Sequence, residues 1–305
     1  MTESILTKYR PKTFKEVVGQ DRVVKSLLKA VEGRSPTYLF TGPSGTGKTT
    51  LARLTAEELG CKPEDLTEID GATNAGADDM RNIVSDMLYR PLSGGVKAII
   101  IDEVQAISKQ AWQVLLKTLE EPPDWVFWFL CTTEPTKVPE SIKTRCMAYT
   151  LKPVDADILF KLIGDTMEAS DVPDEVVDLC AEQANGSPRQ ALANLGVCLT
   201  AADRKEAGEL LRTVSDETQA IDLARALIKG ANWKELQAVL VKLADVSPES
   251  VRHVCRAYMT KVALNAKSEE DAGHLIKILD NFSQPFHPSD GMTPLVLACG
   301  KLTLW

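Results

Sequence analysis

Hydrophobic residues in the first half of the chain form short runs, and amphipathic segments lie before and between these runs. The runs predict strands at residues 37–41, 67–70, 97–101, 126–131 and 147–151. The amphipathic segments predict helices at residues 21–32, 48–59, 77–89, 108–120 and 139–142. Alternation of strands and helices is typical of a parallel sheet with helices on both faces. We therefore expect an α/β domain with a parallel sheet of about five strands.

The pattern changes at Pro153, after which apolar residues recur every three or four positions. This period predicts helices, and several of them are framed by acidic or prolyl starts and glycine stops. We divide the chain into an α/β core at 1–152, a small helical domain at 153–212 and an all-α domain at 213–305. The length of 305 residues suits two or three domains.

Charge and hydropathy narrow the class of protein. The formal net charge of −8 disfavours a broadly basic surface for nucleic acid, although helix N-termini can still bind DNA phosphates locally. Apolar runs stay well short of the roughly 18 residues of a membrane helix, and the first residues lack the apolar core of a signal peptide. We therefore expect a cytoplasmic protein with no membrane partner.

The seven cysteines and three histidines are scattered along the chain, without a C-x-x-C pair. Scattered cysteines within apolar runs are typical of reduced, buried thiols in a cytosolic protein. We therefore expect no metal site built on cysteine and histidine, and in particular no zinc site.

The segment YLFTGPSGTGKTTLARL (38–54) fits the pattern G-x-x-x-x-G-K-[ST] at Gly42, Gly47, Lys48 and Thr49. It lies between a predicted strand and a predicted helix, which is the context that this phosphate-binding loop requires. Glycines let backbone N–H groups turn toward one anion. Lys48 would then reach the β and γ phosphates of a nucleotide, and Thr49 would bind Mg²⁺. The alternative is an ordinary Gly/Ser/Pro turn before a helix.

Two acidic residues follow the apolar run that ends at Ile101. Asp102 and Glu103 would stand at the C-terminal end of a central parallel strand, where ligands bind in open α/β sheets. Asp102 would hold Mg²⁺ through water, and Glu103 would orient and deprotonate the attacking water. The alternative is a solvated acidic turn after the strand.

Five further segments resemble one family. They are KYRPKTFKEVVGQ (8–20), IIIDEVQAIS (99–108), VLLKTLEEPP (114–123), CTTEPTKVPESIKTRC (131–146) and GSPRQAL (186–192). Together with the phosphate loop, they are similar to AAA+ ATPases of the sliding-clamp loaders, namely bacterial gamma/tau subunits and replication factor C small subunits. The resemblance covers about residues 6 to 195. It implies an AAA+ nucleotide-binding domain followed by a helical lid domain and an all-α collar domain.

The resemblance also implies roles for individual residues. Near the adenine we expect Tyr9, Arg10, Pro11, Val17 and Val18. Around the phosphates we expect Gly42, Pro43, Gly45, Thr46, Gly47, Lys48, Thr49 and Thr50. Thr133 would be the sensor of the γ phosphate, with Thr132 as the alternative. Arg145 would be an arginine finger that acts on the neighbouring subunit's nucleotide, and Arg189 would be the second sensor, on the lid. For both arginines, the alternative is an ordinary surface residue.

The same resemblance implies ATP and Mg²⁺ as cofactors. It implies partners of three kinds: other loader subunits in a pentamer, a sliding clamp and primer-template DNA. For DNA we single out Asn74, Ser108 and Lys109, which lie at predicted helix starts where plain capping is the alternative. The helix ending in IVSDMLYRP (83–91) is a candidate clamp contact or a core helix.

The sequence also departs from the family pattern. Thr144 replaces the serine that precedes the finger, and Gln105 replaces a common histidine after D-E-V. The four-cysteine zinc insert and the tau extension are missing, which suits a minimal loader such as a viral one. Two other functions stay open: another AAA+ DNA-processing ATPase, such as a Holliday-junction motor or helicase loader, and a non-catalytic scaffold subunit of a loader.

Overall fold

The structure is a computed structural model, and it describes residues 4–92, 94–266, 268–287 and 290–303. The chain divides into two compact units, one ending at Arg204 and the other starting at Lys205. The first unit contains a sheet and the second contains helices.

A five-stranded sheet forms the centre of the first unit. Its strands are β1 (Thr37–Thr41), β2 (Cys61–Asp70), β3 (Val96–Asp102), β4 (Val126–Thr132) and β5 (Met147–Thr150). The spatial order is β2-β3-β4-β1-β5, and every neighbouring pair is parallel. Because the strands are parallel, the C-terminal ends of β1, β3 and β4 lie at one edge of the sheet.

The central strands are buried on both faces, which explains their nearly continuous apolar sequences. In β1, Tyr38 and Phe40 pack into one core with Phe129 of β4. Leu39, on the opposite face of β1, packs into a second core with Trp128 of β4. The two cores hold the sheet between two layers of helices.

The described residues of the first unit form nine helices. They are α1 (Ile5–Lys8), α2 (Asp21–Glu32), α3 (Lys48–Glu58), α4 (Ala77–Met87), α5 (Lys109–Glu120), α6 (Glu140–Lys143), α7 (Ala156–Gly164), α8 (Asp174–Glu182) and α9 (Pro188–Cys198). Short 3₁₀ turns cover Phe14–Glu16, Val104–Ala106, Pro135–Lys137 and Met167–Ala169. Helices α7, α8 and α9 form the helical part that follows the sheet.

The described residues of the second unit form helices and the loops that connect them. Its helices are α10 (Arg204–Ile228), α11 (Trp233–Lys242), α12 (Pro248–Leu264), α13 (Glu269–Asp280) and α14 (Thr293–Thr303). They enclose one apolar core. At the edge of this core, the buried Arg252 donates to Glu249 and to the carbonyl oxygen of Phe282. Because its charge is paired and hydrogen-bonded, the arginine can be buried there.

The predicted fold class is confirmed: an α/β domain with five parallel strands precedes helical domains. The strand at 67–70 is longer than predicted, because β2 begins at Cys61, which pairs with Val96 before the register shifts. The boundary at residue 212 stays a prediction, and helix α10 covers it. Among the described residues, no helix has the length and hydropathy to cross a membrane.

Candidate nucleotide-binding and catalytic site

The loop between β1 and α3 adopts backbone angles that favour glycine. Gly42, Gly45 and Gly47 have φ values of +141°, +74° and +104°. A Cβ atom at Gly42 would lie 2.5 Å from the carbonyl oxygen of Leu151. The fixed glycines of the motif are therefore required by the turn itself, and the turn places the start of α3 at the sheet edge.

Lys48, the first residue of α3, is buried inside this loop. Its Nζ donates to the carbonyl oxygens of Gly42 and Pro43, each at 2.9 Å. Burial lowers the pKa of Lys48, and the nearby carboxylates of Glu103 and Asp102 oppose that effect. A cation removed from water in this way is a favourable partner for a phosphate that enters the loop.

Thr49 lies next to Lys48 and contacts the end of β3. Its hydroxyl donates to Oδ2 of Asp102 at 2.6 Å, and Oδ1 of Asp102 accepts the backbone N–H of Glu103 at 3.0 Å. A hydroxyl and a carboxylate in contact provide the oxygen ligands that Mg²⁺ prefers. The residues therefore fit a magnesium ion held by Thr49 and Asp102 together with nucleotide phosphates.

Glu103 stands just beyond β3 in a left-handed backbone conformation, with φ of +47°. Oε2 of its carboxylate accepts the hydroxyl of Thr133 at 3.1 Å and also the side-chain amide of Gln105. The predicted sensor threonines, Thr132 at the end of β4 and Thr133 after it, thus lie at the same sheet edge as the acidic pair. The motif spacing could not reveal the contact with Gln105, because it depends on the pairing of β3 with β4.

One cavity of about 250 Å³ joins the loop to the N-terminal segment and to the helical part. Among the residues that line it are Tyr9, Arg10, Pro11, Val17, Val18, Gly45, Thr46, Gly47, Lys48, Thr49, Thr50, Asp102, Glu103 and Arg189. Most of the predicted cofactor residues therefore come together in space. Gly42 and Pro43 contribute through their carbonyl contacts with Lys48.

Several residues that line this cavity were not predicted from the sequence, among them two leucines of the helical part. Leu162 of α7 and Leu192 of α9 add apolar surface from the helical part. Their positions in the sequence are those of ordinary core leucines, so helical spacing alone does not distinguish them. They lie with Val17 and Val18 around a space that suits an apolar ring such as a nucleotide base.

The helical part touches the phosphate loop directly. Ser187 is the N-cap of α9, and its Oγ accepts the backbone N–H of Gln190 at 3.1 Å. A Cβ atom added at Gly45 would lie 2.0 Å from that Oγ and 3.3 Å from Cβ of Arg189. Arg189 is therefore positioned beside the loop by the first turn of α9.

Tyr9 contacts the helical part from the other side of the cavity. Its hydroxyl donates to Glu168 at 2.5 Å and accepts the backbone N–H of Met167 at 2.9 Å. Lys8 donates to the same carboxylate at 2.6 Å. These donors, Lys8 first, lower the pKa of Glu168 to about 2. The N-terminal segment is thus fastened to the 3₁₀ turn that follows α7.

Arg145 is not among the residues that line this cavity, and neither are Thr133, Gly42 and Pro43. Arg145 follows α6, and its guanidinium pairs with Glu120 at the end of α5 and donates to the carbonyl oxygen of Ser141. About one third of its side chain is exposed. The arginine is thus displayed on the surface while its direction is set by a carboxylate.

The three residues singled out for DNA lie on two adjoining segments. The backbone N–H of Ser108 donates to the carbonyl oxygen of Ala75 at 2.9 Å. The Ser108 hydroxyl caps α5, and Lys109 beside it is exposed. Asn74 does not cap α4, because Gly76 occupies that position and Asn74 donates to the carbonyl oxygen of Asp70. Their role toward DNA stays a prediction.

Comparison with known proteins finds one family model and several relatives that are similar to this chain. A family model described as DNA polymerase III, delta subunit, matches residues 62–155. The chain is 31% identical over 268 residues to DNA polymerase III subunit tau/gamma of Haemophilus influenzae, covering 79% of this chain and 39% of that protein. It is 32% identical over 265 residues to subunit tau of Escherichia coli, covering 78% and 41%. The chain thus resembles subunits of clamp-loader AAA+ ATPases.

The chain spans about two fifths of the length of these two relatives. Its fold is also similar to that of the RuvB Holliday junction branch migration motor of Thermotoga maritima. The TM-score is 0.56 with 21% identity, over 86% of this chain and 93% of that one. At this identity the likeness concerns the fold alone.

We predict that Gly45→Ala destabilises the nucleotide-free chain more than Gly47→Ala does. Both substitutions impose a left-handed backbone on alanine, which costs about 1–2 kcal/mol. Only Gly45→Ala also displaces Ser187 and so weakens an N-cap worth about 1 kcal/mol. Thermal unfolding without nucleotide measures the difference, with Gly47→Ala as the control because its Cβ meets nothing within 4 Å. Equal losses would contradict the contact between the loop and α9.

Proposed function

We propose that this chain is an ATP-driven motor subunit of a loader that opens a DNA sliding clamp and places it on primer-template DNA. The observation that carries the proposal is that residues predicted to handle the nucleotide line one cavity. Lys48, Thr49, Asp102 and Glu103 line it with Arg189. Similarity to tau and gamma subunits of DNA polymerase III supports the clamp-loading role that we assign to this ATPase.

In the proposed reaction, water attacks the γ phosphorus of ATP, the bond from this phosphorus to the β–γ bridging oxygen breaks, and ADP leaves with the bridging oxygen. Lys48 leaves the carbonyl oxygens of the loop and binds the β and γ phosphates. Glu103 orients the water and accepts its proton, and Thr133 hydrogen-bonds near the γ phosphate. Mg²⁺, held through Thr49 and Asp102, would neutralise the charge that develops on the phosphate oxygens. Arg189 would join the phosphates to the helical part, so that ATP binding closes this part over the cavity.

The proposed assembly has a neighbouring subunit at each nucleotide. Arg145 is exposed and lies outside the cavity of its own chain, as a residue that acts on a neighbour's ATP must. We infer a pentamer that contains further copies of this chain and at least one other loader subunit. ATP would draw these subunits together because it binds the assembled state better than the separated one. Hydrolysis would then release the closed clamp.

The surface for DNA would be the adjoining starts of α4 and α5. Their backbone N–H groups can bind phosphates without adding formal charge. This mode of binding is compatible with a net charge of −8. Asn74, Ser108 and Lys109 would be the side chains nearest to the DNA backbone.

The clamp contact that we propose is the exposed apolar segment that follows α4. Within α4, Met80 and Met87 are buried in the core. Beyond it, Leu88, Tyr89 and Leu92 are 65%, 72% and 86% exposed. Arg90 between them lies over the ring of Trp125, 4.7 Å from its centroid. The helix therefore packs into the core, whereas the apolar residues after it are exposed and available for contact with another protein.

Two other functions fit less well. A scaffold subunit could dispense with the predicted nucleotide-handling residues, yet this chain has Lys48, Thr49, Asp102 and Glu103, and all four line the cavity. A Holliday-junction motor is favoured only by similarity of fold, whereas the sequence relatives are polymerase III subunits.

We predict that clamp and primer-template DNA together stimulate the ATPase of this chain in complex with its partner subunits. Leu92→Ser should reduce the stimulation by the clamp but leave the unstimulated rate in place, because Leu92 lies outside the cavity. Leu264→Ser is the matched control, since Leu264 is 83% exposed and belongs to the second unit. A steady-state ATPase assay with each component added separately makes the measurement. An ATPase indifferent to both components would contradict the proposed client.

We also predict that two inactive variants restore each other's ATPase when mixed in the assembled complex. Arg145→Ala should bind ATP normally but fail to stimulate hydrolysis next door. Lys48→Ala should bind ATP too weakly to hydrolyse it in the assay but should still present Arg145. An ATP site of the first variant that faces an arginine of the second is complete, so the mixture should regain activity. Lys143→Ala, a nearby surface cation, is the control for each assay. A mixture as inactive as its components would place the action of Arg145 within one chain.

A further inference from the structure

The side chain of Gln105 lies between the ends of β3 and β4 and contacts both. Its Nε2 donates to Oε2 of Glu103 and to the hydroxyl of Thr133, the latter at 3.1 Å. Its Oε1 accepts the hydroxyl of Thr132 at 2.6 Å. One amide therefore joins the catalytic carboxylate to both threonines at the end of β4.

The direction of this amide follows from the chemistry of its neighbours. The carboxylate of Glu103 only accepts hydrogen bonds when ionised, so Gln105 has to present its N–H₂ group to it. The hydroxyl of Thr132 can donate to the remaining oxygen, and Thr132 is fully buried at the end of β4. Thr132 also accepts the backbone N–H of Glu134 at 3.0 Å, which fixes its hydroxyl. The buried threonine thus orients the amide.

The same contacts restrain Glu103. Its Oε2 accepts two donors, Gln105 and Thr133. Its backbone is held in the left-handed conformation by the bond from its N–H to Asp102. A carboxylate oxygen that accepts two hydrogen bonds has to give them up before it can turn to a water molecule.

We propose that Gln105 is a positioning residue that restrains Glu103 in the nucleotide-free chain and so keeps unstimulated ATP hydrolysis slow. Thr132 acts through Gln105 by orienting its amide. The inference rests on the proposed ATPase function, and it concerns the rate of the chemical step rather than nucleotide affinity. Release of Glu103 requires that Thr133 and Gln105 exchange their contacts with it for other partners.

The test is the unstimulated ATPase of Gln105→Met and Thr132→Val in the complex with partner subunits. Methionine keeps the length of glutamine but cannot donate to Glu103, and valine keeps the shape of threonine but cannot orient the amide. Each variant should raise kcat about fivefold to tenfold without changing KM, the size expected for loss of hydrogen bonds to a charged group. A gain of activity cannot result from misfolding.

The double variant decides whether Thr132 acts through Gln105. If it does, Thr132→Val should add little to Gln105→Met, whereas independent effects would multiply. Thr132→Ser keeps the hydroxyl and should stay closer to the parent chain than Thr132→Val. An unchanged or lower kcat in Gln105→Met, or effects that multiply, would overturn the proposal.

The outcome is separable from the test of clamp loading, because the unstimulated rate requires neither clamp nor DNA. If Gln105→Met hydrolyses ATP faster but the parent complex does not respond to clamp or DNA, the restraint on Glu103 is supported and the clamp-loading function is refuted. If the parent complex is stimulated by clamp and DNA but Gln105→Met is no faster, the clamp-loading function is supported and the restraint is refuted.

Discussion

The parallel arrangement of β1, β3 and β4 is the constraint on which the nucleotide site depends. Because the three strands point the same way, the phosphate loop, the acidic pair and the threonines of β4 meet at one edge of the sheet. The hydrogen bond from Thr49 to Asp102 joins the first two of these groups. The side chain of Gln105 joins the second to the third. Residues that are 85 positions apart in sequence, Lys48 and Thr133, are thus brought to one site.

Much of this could be predicted from the sequence, and the physical reason is local. Buried parallel strands are read from continuous apolar runs, and the phosphate loop from glycines that the turn requires. The contacts that were missed depend on tertiary structure. β2 is longer than its apolar run because its first residue, Cys61, pairs with Val96. Leu162 and Leu192 have the spacing of core residues, and the partners of Gln105 come from another strand.

The structure also separates groups that act within the chain from a group that is displayed outward. Lys48 is buried among carbonyl oxygens, and its lowered pKa reflects that burial. Arg145, in contrast, keeps its guanidinium at the surface beside Glu120. A site whose arginine is supplied by a neighbour can be active only in an assembly. Such an arrangement would link hydrolysis to subunit contact, and the restraint on Glu103 would keep it slow until the assembly is complete.

The central claim is that this edge of the sheet binds Mg²⁺ and ATP. Calorimetric titration of the parent chain and of Lys48→Ala with ATP, with and without Mg²⁺, tests it most directly. We predict saturable binding by the parent, weakened when Mg²⁺ is removed, and a loss of affinity of about 10- to 100-fold in Lys48→Ala, because a charge-assisted contact is lost. Equal affinity in the two chains would contradict the assignment of the site.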